Sequence, residues 1–261
     1  MLLRSIKTES TCLTILCDDE LNEPLIREHG FSVLVEKDGE PPLLFDTGHT
    51  DVFLRNAEII GKNLLEVGNV VISHGHYDHA GGLRYLANLG KRFNVFLREE
   101  AFLPKYSGER FTGVQWEEAK DGFDFMIVKD KLMRISQSMY IFGPARLNNN
   151  FEEPDSKFFV EKNGQRIRDF FEEELNLVVD EGDGIILITG CAHRGIVNIV
   201  KDATELFGKQ VKLLMGGFHL YNLPESKGRR TIEALTFLGV KKIIPYHCSG
   251  ELIKEMLKDA Q

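Results

Sequence analysis

Eight histidines occur in this 261-residue chain, and three fall within six positions, in Ser73-His74-Gly75-His76-Tyr77-Asp78-His79. Imidazole and carboxylate are the donors that zinc, iron, manganese and cobalt accept. The run follows Val67 to Ile72, an apolar stretch that reads as a buried strand. Alternation along an extended segment points His74, His76 and Asp78 the same way, and the switch into a following helix lets His79 swing round to a neighbouring point. Three further histidines repeat that placement: His193 after Ile185 to Thr189, His219 after Val211 to Met215, and His247 after Lys242 to Pro245. One strand-end histidine is ordinarily a satisfied buried side chain. Six of them, with an Asp among them, read as a site for one or two divalent ions at the carboxyl ends of strands, where α/β folds place their chemistry.

The elements that must position these side chains are legible in outline. Strand patterns cover Cys12 to Cys17, Phe31 to Glu36 and Leu43 to Phe45, with a Lys37-Asp38-Gly39 turn between the last two. A helix follows from about Asp51, then the strand ending at Ile72, then a helix carrying Leu83, Leu86 and Leu89. Later come strands Leu175 to Val179 and Ile185 to Thr189, a helix with Ile196, Val200, Ala203 and Phe207 on its inner stripe, and two strand-helix units that end the chain. Both halves run from a β-rich opening into β-α alternation, so two sheets sandwiched between helices are expected, an α/β layered fold. The whole chain, 1–261, reads as a single domain carrying an aromatic-rich insertion at about 102–171, which holds ten of the eighteen Phe and the only Trp. Those rings either form a lid that stacks on a flat heterocycle or fill the core of a partly irregular subdomain.

Composition narrows the function classes. Hydrophobic residues make up 43% and charged residues 28%, the mix of a folded globular chain. Lys plus Arg total 32 against 40 Asp plus Glu, a formal charge of -8, which disfavours nucleic-acid partners. With neither an apolar membrane span nor a secretory leader pattern, the expected location is the cytoplasm, with no membrane partner. The four Cys are too sparse for a disulfide scaffold. Cys191 and Cys248 lie beside histidines and read either as soft metal ligands or as structural thiols. Strand alternation turns Cys248 away from a site reached by His247, whereas Cys191 shares the parity of His193.

The string His74-x-His76-x-Asp78-His79 resembles the signature of the metallo-β-lactamase superfamily. Asp46-Thr47-Gly48 resembles its upstream Asp, and His193 and His247 match its later ligand positions. Glu28-His29-Gly30-Phe31-Ser32, Gly190-Cys191-Ala192-His193-Arg194-Gly195, Gly216-Gly217-Phe218-His219-Leu220 and His247-Cys248-Ser249-Gly250 look like the branch with the archaeal dihydropteroate-synthase-like enzyme of methanopterin synthesis. The resemblance implies a four-layer αββα sandwich, with His74, His76 and His193 on a first metal and Asp78, His79 and His247 on a second. It departs from many members in one respect. They carry a bridging Asp between the positions matching His193 and His247, where this chain has only Asp202, inside a helical pattern. His219 stands at a strand end instead, as a ligand or a substrate contact.

The implied chemistry is hydrolysis by a metal-bound hydroxide, with zinc, iron or manganese as the metal. Asp78 orients the water while also ligating, and Asp46 braces a ligand histidine or serves only as a turn residue. Two divalent ions, offset by Asp78 and one hydroxide, leave about +2, which favours a small anionic substrate such as a phosphate ester or a diphosphate. Arg194, at a helix start, and Arg146 are the candidate substrate contacts; Arg229 and Arg230 are weaker ones. Glu28 and His29 read as structural. The alternative is a transferase that joins a dihydropterin-methyl diphosphate to an arylamine, with a pterin as substrate. Residue patterns leave the oligomeric state open.

Overall fold

A computed structural model describes residues 5–119 and 122–260. Its contacts divide the chain into two compact units, one of Met1–Lys129 with Ser156–Asp169, the other of Asp130–Asp155 with Phe170–Gln261.

In the first unit, seven strands form one sheet in the order Ser5–Lys7, Thr11–Cys17, Ser32–Lys37, Leu43–Phe45, Asn69–Val71, Phe93–Leu97, Phe123–Ile127. The first four pair antiparallel, and Gly39, at φ 77°, turns the chain between the third and fourth. From Leu43–Phe45 onward the pairing is parallel, so each return needs a crossover. The helix Val52–Ile59 makes the first of these and buries Val52, Phe53 and Ala57. Leu16, Leu34, Leu44, Phe53, Val70, Leu83 and Phe93 belong to one apolar cluster on the sheet.

The expected helix through Leu83, Leu86 and Leu89 is broken into Tyr77–Ala80, Leu83–Leu86 and a 3-10 turn, Ala87–Leu89. Gly81 and Gly82 mark the break because the chain at Thr47–His49 crosses there. A Cβ on Gly82 would lie 2.2 Å from the Thr47 carbonyl, and one on Gly81 2.8 Å from that of His49.

In the second unit, six strands are ordered Leu132–Arg134, Met139–Phe142, Asn176–Asp180, Ile185–Thr189, Val211–Gly217, Lys242–Tyr246. Again an antiparallel opening leads into parallel pairs. Ile185–Thr189 is buried along its whole length, as its unbroken apolar sequence requires. The helices Ile196–Phe207, Glu225–Phe237 and Glu251–Ala260 complete the unit.

The 102–171 segment is distributed rather than gathered. Phe123–Ile127 joins the first sheet and two strands join the second, while Lys105–Ser107, Arg110–Phe111, Phe158–Lys162 and Gln165–Arg168 form a four-stranded sheet of the first unit. Its strands span only two to five residues, too few for a firm period-two signal. Phe102 packs edge-on against Trp116 at 4.7 Å and Phe125 at 5.3 Å, so these rings fill core. Among the described residues no helix is long and apolar enough to cross a membrane.

Candidate metal centre

The first unit gathers the Ser73 to His79 motif where the strand Asn69–Val71 ends. The extended path stops at His76, which caps the helix Tyr77–Ala80, so Asp78 sits on a helical turn rather than continuing the expected alternation, while His79 lies on that helix as expected. Gly75 is required between the two histidines because a Cβ there would lie 2.2 Å from the Ala101 carbonyl.

Asp46 organises the cluster. Its Oδ1 accepts the Ser73 N–H at 2.7 Å, and its Oδ2 accepts the Ser73 hydroxyl at 2.7 Å and faces His79 Nδ1 at 2.7 Å. A carboxylate only accepts, so His79 carries its proton on Nδ1 and leaves Nε2 as a metal donor. The Ser73 hydroxyl has given its hydrogen to Asp46 and therefore accepts from His74 Nδ1 at 2.9 Å. That leaves the His74 Nε2 lone pair, 3.1 Å from His76 Nδ1. Burial holds the His74 pKa well below the usual imidazole range; the neighbouring His79 and His76 rings push the same way and Asp78 opposes them. Neutral buried imidazoles whose nitrogens converge are a donor set that fits a divalent cation. Phe158 flanks His76 at 5.4 Å, and buried Lys105, 2.8 Å from Asp169, lowers the His74 pKa a little further.

Of the two upstream residues read from the sequence as structural, Glu28 has a hydrogen-bonding role in the loop after Asp46, and His29 reaches the cluster itself. His29 Nε2 lies 3.3 Å from Asp78 Oδ2, and its Nδ1 lies 2.8 Å from Asp19. Glu28 Oε1 accepts the N–H groups of His49 and Thr50 at 3.0 and 3.1 Å, which fixes the Asp46 loop. Besides the Glu28 to Ser32 string that resembles the branch, the signal beside them is Gly30, where a Cβ would lie 2.6 Å from the Asp78 carbonyl.

The second unit presents its histidines on the turns that follow three parallel strands. His193 lies beyond Ile185–Thr189, where Phe171 stacks on it at 3.8 Å with the planes 10° apart. The Glu174 carboxyl receives the N–H groups of His193 and Arg194 at 2.5 and 3.1 Å; burial pushes its pKa up to about 8 against those bonds. The His219 ring is 4.4 Å from that of His193. His247 opens a 3-10 turn, His247–Ser249, since the strand has ended at Tyr246. That turn corrects the reading of Cys248: it does not face away, and its Sγ lies 3.3 Å from Cys191 Sγ. Cys191, His247 and Cys248 offer ligand atoms all within 4.8 Å of one another and could hold a metal ion.

The candidate substrate arginines are turned to protein partners. Arg194 is buried and donates to the carbonyls of Ala145 and Phe170 and to Glu172. The helix start expected to attract a substrate anion is filled by Glu152, which accepts from Val197 N and Asn198 N at 3.0 Å each. Arg146 pairs with Asp202 and Glu205. Asp202, also bound by Lys131, is occupied within the helix Ile196–Phe207 and is no substitute for a bridging Asp. Arg229 pairs with Glu225, and Arg230 donates to Asn150.

A fold of paired β and β-α units with strand-end histidine clusters defines a family. Residues 25–247 match the Metallo-beta-lactamase superfamily, and the chain belongs to it. It therefore has the α/β metallo-β-lactamase-like fold expected from the motif. The crystal structure of Tm1679, described as a metal-dependent hydrolase of the beta-lactamase superfamily, is similar with a TM-score of 0.88 and 42% identity, covering 96% of this chain and 93% of that one. Among curated proteins, the 7,8-dihydropterin-6-methyl-4-(beta-D-ribofuranosyl)-aminobenzene-5'-phosphate synthase of Methanocaldococcus jannaschii is 28% identical over 99% of this chain and 94% of its own. An uncharacterized protein of the same organism is 30% identical over 91% of this chain and 90% of its own.

Proposed function

We propose that the protein is a metal-dependent hydrolase of small anionic metabolites, phosphorylated or esterified, with His74, His76, Asp78, His79, His193 and His247 as ligands for one or two divalent ions. The observation that carries this reading is the Asp46 network, which engages His74 and His79 through Nδ1 and leaves Nε2 of each, in a buried setting, as the atom a metal would take. A bound divalent ion supplies Lewis acidity, lowering the pKa of its water toward about 7 and stabilising charge on the leaving group. Asp78, whose carboxylate lies 3.3 Å from His29 Nε2, would orient the attacking water and take up its proton. His219, beside His193, contacts the substrate or completes the ligand set. Zinc suits this imidazole-rich donor set, and iron and manganese are the competitors.

Similarity to the methanopterin-branch synthase over 99% of the chain favours one other reading, a transferase that couples a dihydropterin-methyl diphosphate to an arylamine. Metal-loaded protein is incubated with phosphoesters and, separately, with the pterin diphosphate and an aminobenzoate acceptor. Turnover of the esters, or diphosphate release without a coupled product, supports hydrolysis; a coupled product supports transfer. Elemental analysis accompanies the assay. His76→Ala and His193→Ala are each expected to lower metal affinity about tenfold or more, and unchanged metal content in both would sink the site.

A further inference from the structure

We propose that Cys191, Cys248 and His247 form a soft cation site of the second unit, two thiolates and one imidazole that take a thiophilic ion such as cadmium(II), mercury(II) or copper(I). All three residues are buried, and they come from the turns after two strands of one sheet. The sulfurs stand 3.3 Å apart. Even at the zinc–sulfur length of about 2.3 Å, two thiolates on a tetrahedral ion lie about 3.8 Å apart, so an ion makes the site by spreading the sulfurs at least about half an ångström.

The surrounding backbone is shaped to this pair. Ala192, His219 and His247 hold the left-handed conformation at φ 55°, 49° and 46°, a sharp turn just beyond each of three strands. Gly217 clears the space, since a Cβ on it would lie 2.8 Å from Cys248 Sγ and 3.2 Å from Cys191 Cα. The His219 N–H points at Cys248 Sγ from 3.3 Å, a donor already in place for a thiolate. Soft sulfur selects soft ions, whereas the imidazole and carboxylate array of the first unit suits borderline ones. The thiol site stands independently of the hydrolase reading. Only its competition for His247 rests on that reading: a thiophilic ion held here withdraws one ligand from the hydrolytic set.

Cadmium(II) tests the site. Protein stripped with a chelator and kept reduced is titrated with the ion, following thiolate-to-cadmium charge-transfer absorption in the near ultraviolet and bound cadmium after dialysis. Wild type and His74→Ala are expected to show the band, and Cys191→Ser and Cys248→Ser to lose it, with affinity down about tenfold or more. Cadmium X-ray absorption on the wild type covers the case in which a variant fails to fold: two sulfur neighbours support the site. Cadmium bound without sulfur neighbours, no binding at all, or a band that survives Cys248→Ser each overturn it. Loss of zinc in His76→Ala reports on the hydrolase reading and leaves this one untouched.

Discussion

At the scale of single residues, Asp46 has the widest reach. One carboxylate fixes the tautomer of His79 directly and that of His74 through the Ser73 hydroxyl. Asp46→Ala is expected to lower zinc affinity about 10- to 100-fold in a chelator competition. It is also expected to cost about 1–3 kcal/mol in denaturant unfolding of the metal-free protein, because the buried Ser73 N–H loses its acceptor. Cys17 offers a second test. Burial, then the charges of Glu28 and Asp18, push its thiol well above the usual range, so it stays protonated and unreactive in mildly alkaline buffer. Peptide mapping after iodoacetamide is expected to find Cys12, half-buried, labelled in the native protein and Cys17 labelled only after unfolding. The clustered histidines were legible because their spacing is local. His29 and Glu28 were not, because their contacts to Asp78 and to His49–Thr50 join positions 21 to 49 residues apart.

At the scale of elements, the helix Ile196–Phe207 is closed by Glu152 at its N-terminus. Burial raises the Glu152 pKa above the ordinary 4.5, opposed by the Val197 and Asn198 N–H groups, Asn149 and Lys227. A carboxyl with a raised folded pKa contributes stability that is complete below the unfolded value and lost as pH rises through the folded one. The melting-temperature advantage of wild type over Glu152→Gln is therefore expected to shrink as pH rises above the ordinary 4.5 of a glutamate carboxyl. A constant difference would refute the assignment. Gly75→Ala forces a methyl toward the Ala101 carbonyl and displaces the motif; metal content is expected to fall together with stability. Strands and long helices were legible from their periods. The 3-10 turn at His247–Ser249 was not, and alternation carried past Tyr246 misplaced Cys248, since three residues are too few to announce a change of period.

At the scale of the molecule, the repetition that identified the fold class is present in both units, where an antiparallel opening passes into parallel strands. It was readable where a short apolar parallel strand runs into a helix, as after Leu43–Phe45, Asn69–Val71, Ile185–Thr189, Val211–Gly217 and Lys242–Tyr246. The strands between 102 and 171 were obscured because they serve three different sheets. The charge of -8 leads to a prediction for the whole chain: no retention on heparin at physiological salt, whereas firm retention would reopen nucleic-acid substrates.

Gly30, Gly75, Gly81 and Gly82 each stand where backbone meets backbone with no space for a methyl group. Directed evolution of this protein toward other substrates should therefore hold those four codons constant, since even alanine there distorts the scaffold before selection can act on chemistry. Diversity belongs instead in exposed side chains that flank the imidazoles, such as Tyr221 beside His219.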